Sequence, residues 1–251
     1  MEGYETYIEV EDVKIHIEVY GAGEPIIFLH GNGGSTRSFD KQIPFFASIY
    51  QVICIDTRGH GKSDLGKEHL DFSILASDVI KVMDKLEIES ANIVGFSDGG
   101  NTAITLALNY PGRVKSITTS GANLFPEGLV EYIFPPMQIG YVTTNFFKIF
   151  SKKMKIKNEL FSLLVKHPHI NPEELTKIKV PALIMAGDRD LIKREHTDLI
   201  TKSIKNSIQY IVTDCDHFIA DEKPDEFNSA LSNFLKDIVY KKQEYTNDKK
   251  N

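Results

Sequence analysis

The stretch Gly95-Phe96-Ser97-Asp98-Gly99-Gly100 places a serine where it could act as a nucleophile. A short apolar run, Ile93-Val94, leads into Gly-x-Ser-x-Gly, and a helical pattern follows from Asn101 to Asn109. Strand, tight turn and helix in that order read as a nucleophile elbow. Gly95 and Gly99 leave room for a strained backbone at Ser97, and Gly100 lets the new helix pack closely on a sheet. A serine held there projects Oγ above the sheet, where the amides of the helix N-terminus favour a developing negative charge. Five residues alone also describe a small-residue strand-to-helix turn, so the rest of the chain must supply the partners.

A serine hydroxyl is a poor nucleophile until a base takes its proton, and a histidine has a pKa suited to that work. His217 lies in the loop Thr213-Asp214-Cys215-Asp216-His217-Phe218, and a carboxylate that could orient it lies in Gly187-Asp188-Arg189-Asp190. Asp190 is the better placed of the two acids, in Gly-x-x-Asp spacing further past the strand end, while Asp188 suits bracing the loop with Arg189. The order Ser97, Asp190, His217 is the one used for nucleophilic catalysis on an open α/β sheet. His30-Gly31-Asn32-Gly33-Gly34-Ser35 follows an apolar run, and Asn32 is the residue whose backbone N–H could form half of an oxyanion hole. His30 suits anchoring that loop by hydrogen bonds.

Two glycine-rich loops invite a nucleotide reading, and both fail it. Gly-x-Gly-x-x-Gly would need glycine at Thr36, and Gly61-Lys62-Ser63 would need another glycine at Asp56 to end a P-loop. Asp56 and Arg58 instead suit bracing the second loop by charged hydrogen bonds. His167-Pro168-His169 has neither a cysteine nor a helical histidine partner, so no metal is expected there.

The elements that must position these residues are legible in the hydrophobic pattern. Tyr4 to Tyr20 alternates with period two, broken at Glu11-Asp12, and predicts an antiparallel hairpin at a sheet edge. Pro25 to Leu29, Tyr50 to Ile55, Ala91 to Val94, Val114 to Thr119, Val180 to Ala186 and Ser207 to Val212 predict strands, most of them apolar on both faces. Helices are predicted over Phe39–Ser48, Phe72–Leu86, Thr102–Leu108, Glu195–Ile204 and Pro224–Val239. Alternation of strand and helix with short links means a mostly parallel, doubly wound sheet. The rhythm breaks after Gly121. From Leu124 to about Leu175 there is no strand signal, only aromatic and aliphatic residues at helical spacing punctuated by Pro135-Pro136 and Pro168. A small helical cap over residues 124–175 is expected, lying on a core of residues 1–123 and 176–240, with a frayed charged tail over 241–251. Part of the cap should line an acyl or aromatic pocket, because ligands bind at that edge of such sheets.

Composition narrows the class further. A chain of 251 residues with 41% hydrophobic and 25% charged residues suits one large globular α/β domain. Its net charge of -6 argues against nucleic acid or an anionic membrane as the main partner. No apolar run approaches the ~20 residues of a membrane span. The N-terminus lacks the basic and apolar regions of a signal peptide, so a cytoplasmic location is the expectation. Cys54 and Cys215, far apart, write neither a disulfide framework nor a metal site.

Together these motifs give the chain a specific likeness. It resembles the serine hydrolases of the α/β-hydrolase fold over nearly its whole length, the cap excepted. That resemblance implies Ser97 as nucleophile, Asp190 as acid and His217 as base, with the backbone N–H groups of Asn32 and Asp98 as the oxyanion hole. It implies no cofactor and no metal, and a small-molecule ester as substrate. Haloalkane dehalogenases and epoxide hydrolases share the fold but carry aspartate where Ser97 stands. A narrower likeness runs through Ser97-Asp98-Gly99-Gly100-Asn101-Thr102-Ala103 and Gly121-Ala122-Asn123, which are similar to the biphenyl-hydrolase-like enzymes that cleave α-amino-acid esters. There the aspartate after the nucleophile binds the substrate ammonium; the other use of Asp98 is to cap its own helix. The expected reaction is hydrolysis of a small or medium carboxylic ester through an acyl-enzyme. Hydrolysis of α-amino-acid esters, C–C bond hydrolysis, thioesterase and perhydrolase activities use the same triad. A catalytically silent receptor on this fold would have no need to keep the triad and both elbow glycines.

Overall fold

The computed structural model describes residues 3–248, with side chains through Ile238. Its strands are β1 (Gly3–Val10), β2 (Val13–Tyr20), β3 (Glu24–Leu29), β4 (Tyr50–Ile55), β5 (Ala91–Phe96), β6 (Val114–Ser120), β7 (Ala182–Gly187) and β8 (Ser207–Val212). They form one sheet in the order β1-β2-β4-β3-β5-β6-β7-β8. The β1–β2 hairpin turns at Glu11-Asp12, and β2 also pairs antiparallel with β4; every later neighbour is parallel. The helices are α1 (Ile43–Phe46), α2 (Phe72–Lys85), α3 (Asp98–Asn109), α4 (Phe134–Phe147), α5 (Lys152–Lys166), α6 (Arg194–Ser203), α7 (Ile219–Glu222) and α8 (Pro224–Asp248).

The continuous apolar runs of the central strands follow from helices covering both faces. In β3, Ile27 and Leu29 enter one core with Val79, Val82 and Met83 of α2 and Ile104 of α3. Their neighbours Ile26 and Phe28 enter the opposite core with Phe46 of α1 and Phe227 and Leu231 of α8. Alternate residues of a strand face opposite ways, so one tetrapeptide feeds two cores. Asp71 caps α2 by accepting from the Ile74 amide at 2.8 Å, a contact worth about 1 kcal/mol.

Two helix expectations are corrected. In place of a continuous helix over Phe39–Ser48, the chain forms a 3₁₀ turn at Thr36–Phe39 and the single turn of α1. Pro44 is the reason: it has no amide to donate and its ring would clash one turn back, so it is tolerated only in the first turn of α1. The last helix runs on to Asp248 rather than ending near Val239, because Lys241, Lys242, Gln243 and Glu244 are all good helix formers. Of the tail expected over 241–251, residues 249–251 lie outside the described residues.

Between β6 and β7 the chain forms α4 and α5, which pack on each other. Leu163 of α5 joins Leu65, Leu70, Phe72 and Leu75 in a separate small core. Glu159 of α5 accepts from the Leu70 amide at 3.1 Å and from His69 Nδ1 at 2.9 Å, tying the helix to the loop before α2. A single antiparallel bridge, Leu129 to Ile192, joins this segment to the loop after β7. No helix among the described residues is long and apolar enough to cross a membrane.

Candidate active site

The loops that carry the candidate residues all leave the C-terminal ends of parallel strands, the edge at which open α/β sheets hold their ligands. β5 passes into α3 through Ser97, whose φ of 54° and ψ of -117° lie in a region that residues other than glycine rarely adopt. Hydrogen bonds on both sides hold that strain: the Ser97 amide donates to Ser120 O at 2.8 Å, and Ser97 O accepts from the Asn101 amide at 3.0 Å. A Cβ on Gly95 would run into the Gly99 carbonyl, and one on Gly99 into the Leu29 carbonyl. Close backbone approach, rather than flexibility, therefore demands glycine at both flanks.

Asp190 stands three residues past β7 and His217 five past β8. His217 Nδ1 donates to Asp190 Oδ1 at 2.6 Å, and both side chains are buried. The Ile192 amide donates to Asp190 Oδ1 at 2.9 Å, which fixes the carboxylate. With its proton on Nδ1, the imidazole keeps Nε2 free to accept another. The ring lies where a Cβ on Gly121 would be, at a backbone φ of 67°. Asp188 does separate work: it accepts from the amides of Asp214 at 3.0 Å and Cys215 at 3.2 Å. Those two donors hold its carboxyl below the usual carboxylate range and brace the loop that carries His217.

Ser97 and His217 line one cavity of about 180 Å³, with Asp98 beside them and Met137, Leu164 and Ile192 among its apolar walls. Ser97 Oγ makes no hydrogen bond to His217 Nε2 among the described residues. The amides of Asn32 and Asp98 have no acceptor among the described residues, which leaves two donors at the strand ends beside Ser97. The Asp98 side chain does not cap α3. Its Oδ2 accepts from Asn32 Nδ2 at 2.8 Å, and the same amide group donates to Leu160 O of α5 at 3.0 Å. Burial pushes the Asp98 carboxyl up to about 6, against the opposing pull of the Asn32 hydrogen bond and nearby His217.

A family profile described as the alpha/beta hydrolase fold matches residues 24–155. The chain belongs to that family. It is similar to a 3-oxoadipate enol-lactonase of Acinetobacter baylyi, 28% identical, with 85% of this chain and 89% of the relative covered. A 2-hydroxy-6-oxo-6-phenylhexa-2,4-dienoate hydrolase of Comamonas testosteroni is 27% identical over 91% of this chain and 93% of the relative. Among solved structures, Est816, described as an N-acyl homoserine lactone degrading enzyme, superposes with a TM-score of 0.76. It is 28% identical and covers 91% of this chain and all of its own, 100%. The chain is a hydrolase of the α/β-hydrolase fold.

In this hydrolase several supporting contacts escape a sequence reading. Asn101 and Asn123 form a reciprocal pair, with Asn101 Nδ2 donating to Asn123 Oδ1 at 2.9 Å and the Asn123 amide donating to Asn101 Oδ1 at 2.9 Å. The pair clamps the loop after β6 to α3, and Asn123 lines the cavity. His196 Nε2 accepts from the Leu124 amide at 2.7 Å, and burial pushes its pKa down to about 4. The stretches Ser97 to Ala103 and Gly121-Ala122-Asn123 single out both asparagines of the first without showing that they pair; nothing local marks the second. His30 does anchor its loop, through the Gly31 carbonyl at 2.8 Å and the Thr57 amide at 3.1 Å. Asp56 accepts from the amides of Thr36 and Lys62, and Arg58 donates two hydrogen bonds to Asp78, at 2.7 and 2.8 Å. Among the described residues, Glu5, His16 and Glu18 are close enough together to hold a metal ion. Glu5 Oε2 already accepts from Lys62, His16 Nδ1 is paired with Asp56, and both Glu18 oxygens accept, from Thr36 and Tyr20.

Proposed function

We propose that Ser97, Asp190 and His217 act as a catalytic triad that hydrolyses a small or medium carboxylic ester through an acyl-enzyme. The observation that carries this reading is a serine strained at the head of α3, sharing one small cavity with a histidine already hydrogen-bonded to a buried aspartate. His217 Nε2 takes the proton of Ser97 Oγ as the oxygen attacks the substrate carbonyl. The charge that develops on the carbonyl oxygen is stabilised by the backbone amides of Asn32 and Asp98. His217, now an imidazolium stabilised by Asp190, gives its proton to the leaving oxygen and frees the alcohol. Water then enters, loses a proton to His217 and attacks the acyl carbon, and Ser97 leaves with that proton. No step calls for a cofactor or a metal. The cavity of about 180 Å³ that Ser97 itself lines supports a compact acyl group, and the lactone-acting relatives support an ester in which acyl and leaving parts share a ring.

Asp98 supports a second reading, an ester of an α-amino acid. Its carboxyl lines the cavity, its Oδ1 has no hydrogen-bond partner among the described residues, and it is ionised above about pH 6. An ammonium is the group such a buried anion would recognise.

The test of the triad is a fluorophosphonate probe applied to the wild type and to Ser97→Ala. Labelling and p-nitrophenyl ester hydrolysis should both vanish in the variant. Persistent labelling in the variant would refute the assignment of the nucleophile.

A further inference from the structure

Helix α4 has two faces with different surroundings. On one, Met137 lines the cavity that contains Ser97, and Thr144 is buried against Asn158 of α5. On the other, Ile139, Val142 and Phe146 follow each other at helical spacing and are 68%, 66% and 69% exposed. The turn into α5 continues the stripe with Ile149 at 76% and Phe150 at 73%. Single exposed apolar residues are ordinary, but a contiguous run of this size marks a surface that meets something else.

Charge indicates what that is. Residues 132–158 contain five lysines, at 148, 152, 153, 155 and 157, and no aspartate or glutamate, in a chain of net charge -6. None of the five forms an ion pair among the described residues; Lys148 bonds only the neutral Asn158. We infer that this face of α4 and the start of α5 is a docking surface for an anionic lipid bilayer. The apolar stripe enters the boundary between headgroups and acyl chains, and the lysines meet the lipid phosphates. The rest of the chain is more acidic than the whole, and its repulsion from the same lipids turns the cap toward the membrane. The overall charge, which argued against a membrane partner, averages away this local excess. A second copy of the chain fits less well, because a two-fold contact would set one group of lysines against the other. Cavity wall and docking stripe share one helix, so an amphiphilic substrate resident in a bilayer would meet the protein beside its cavity.

The experiment is sedimentation of the full chain with vesicles of phosphatidylcholine alone and of equimolar phosphatidylcholine and phosphatidylglycerol. The protein should sediment with the anionic vesicles only, and added salt should release it. Phe146→Asp combined with Phe150→Asp should lower partitioning at least about tenfold without changing the melting temperature, since both side chains are exposed. Protein that stays in solution with both vesicles overturns the inference, and so does equal sedimentation with both. A concentration-dependent dimer that Phe146→Asp dissolves would overturn it in favour of a second copy.

Discussion

Substituting Asp98 by asparagine should alter stability in a way that depends on pH. The carboxyl is buried, and its pKa rises from 3.8 to about 6 chiefly because the surroundings disfavour its ionised form. A difference of that size means the fold holds the charged form about 3 kcal/mol less favourably than the unfolded chain does. The neutral form thus contributes stability that is complete below pH 3.8 and is lost as the pH rises through about 6. Asparagine keeps the shape and an oxygen that can accept from Asn32 Nδ2, but it cannot ionise. The stability of Asp98→Asn relative to wild type should therefore increase by about 3 kcal/mol between about pH 4 and about pH 7, then level off. Urea denaturation of both proteins at a series of pH values measures this difference, in which all other titrating groups cancel. A flat difference would refute the reasoning. A difference that falls with pH would reverse its sign and make Asp98 a stabilised anion.

Asp98→Asn also separates the two substrate readings when acetyl to octanoyl p-nitrophenyl esters are compared with aminoacyl esters. Under the ammonium reading the variant loses at least about tenfold more kcat/KM on aminoacyl than on neutral esters, and equal losses remove that role from Asp98. Arg58→Ala leaves Asp78 buried without its partner and should cost about 3–5 kcal/mol, read as a fall in the urea midpoint. Joint replacement by Arg58→Met and Asp78→Leu should recover most of that loss; no recovery would show that the pair does more than neutralise its own charges.

Much of this hydrolase is determined by local pattern. The run Ile26 to Leu29 is apolar because helices cover both faces of its strand, and Gly95-x-Ser97-x-Gly99 marks a turn too crowded by backbone for a side chain at either flank. Such constraints act within a few residues, so periodicity and spacing record them. Ser97, Asp190 and His217 could be singled out because each lies just past an apolar run, and parallel topology sends all such ends to one edge. Pro44 shows where the same reasoning missed: apolar spacing suggested a longer helix, and one absent amide cut it short. What only the tertiary structure decided are pairings across long stretches of chain. Asn32 reaches Asp98, 66 residues away, and Leu160, 128 away. Asp188 braces the loop of His217 through the amides of Asp214 and Cys215, 26 and 27 residues further on, and its neighbour Arg189 joins in with an ion pair at 3.9 Å and an amide that donates to Cys215 O at 3.1 Å. The apolar residues of α4 carried the same helical spacing whether, like Met137, they lined the cavity or, like Ile139, Val142 and Phe146, they faced solvent. Periodicity shows that a helix has a face; what lies against that face is a property of the fold, because burial depends on every other element that packs around it.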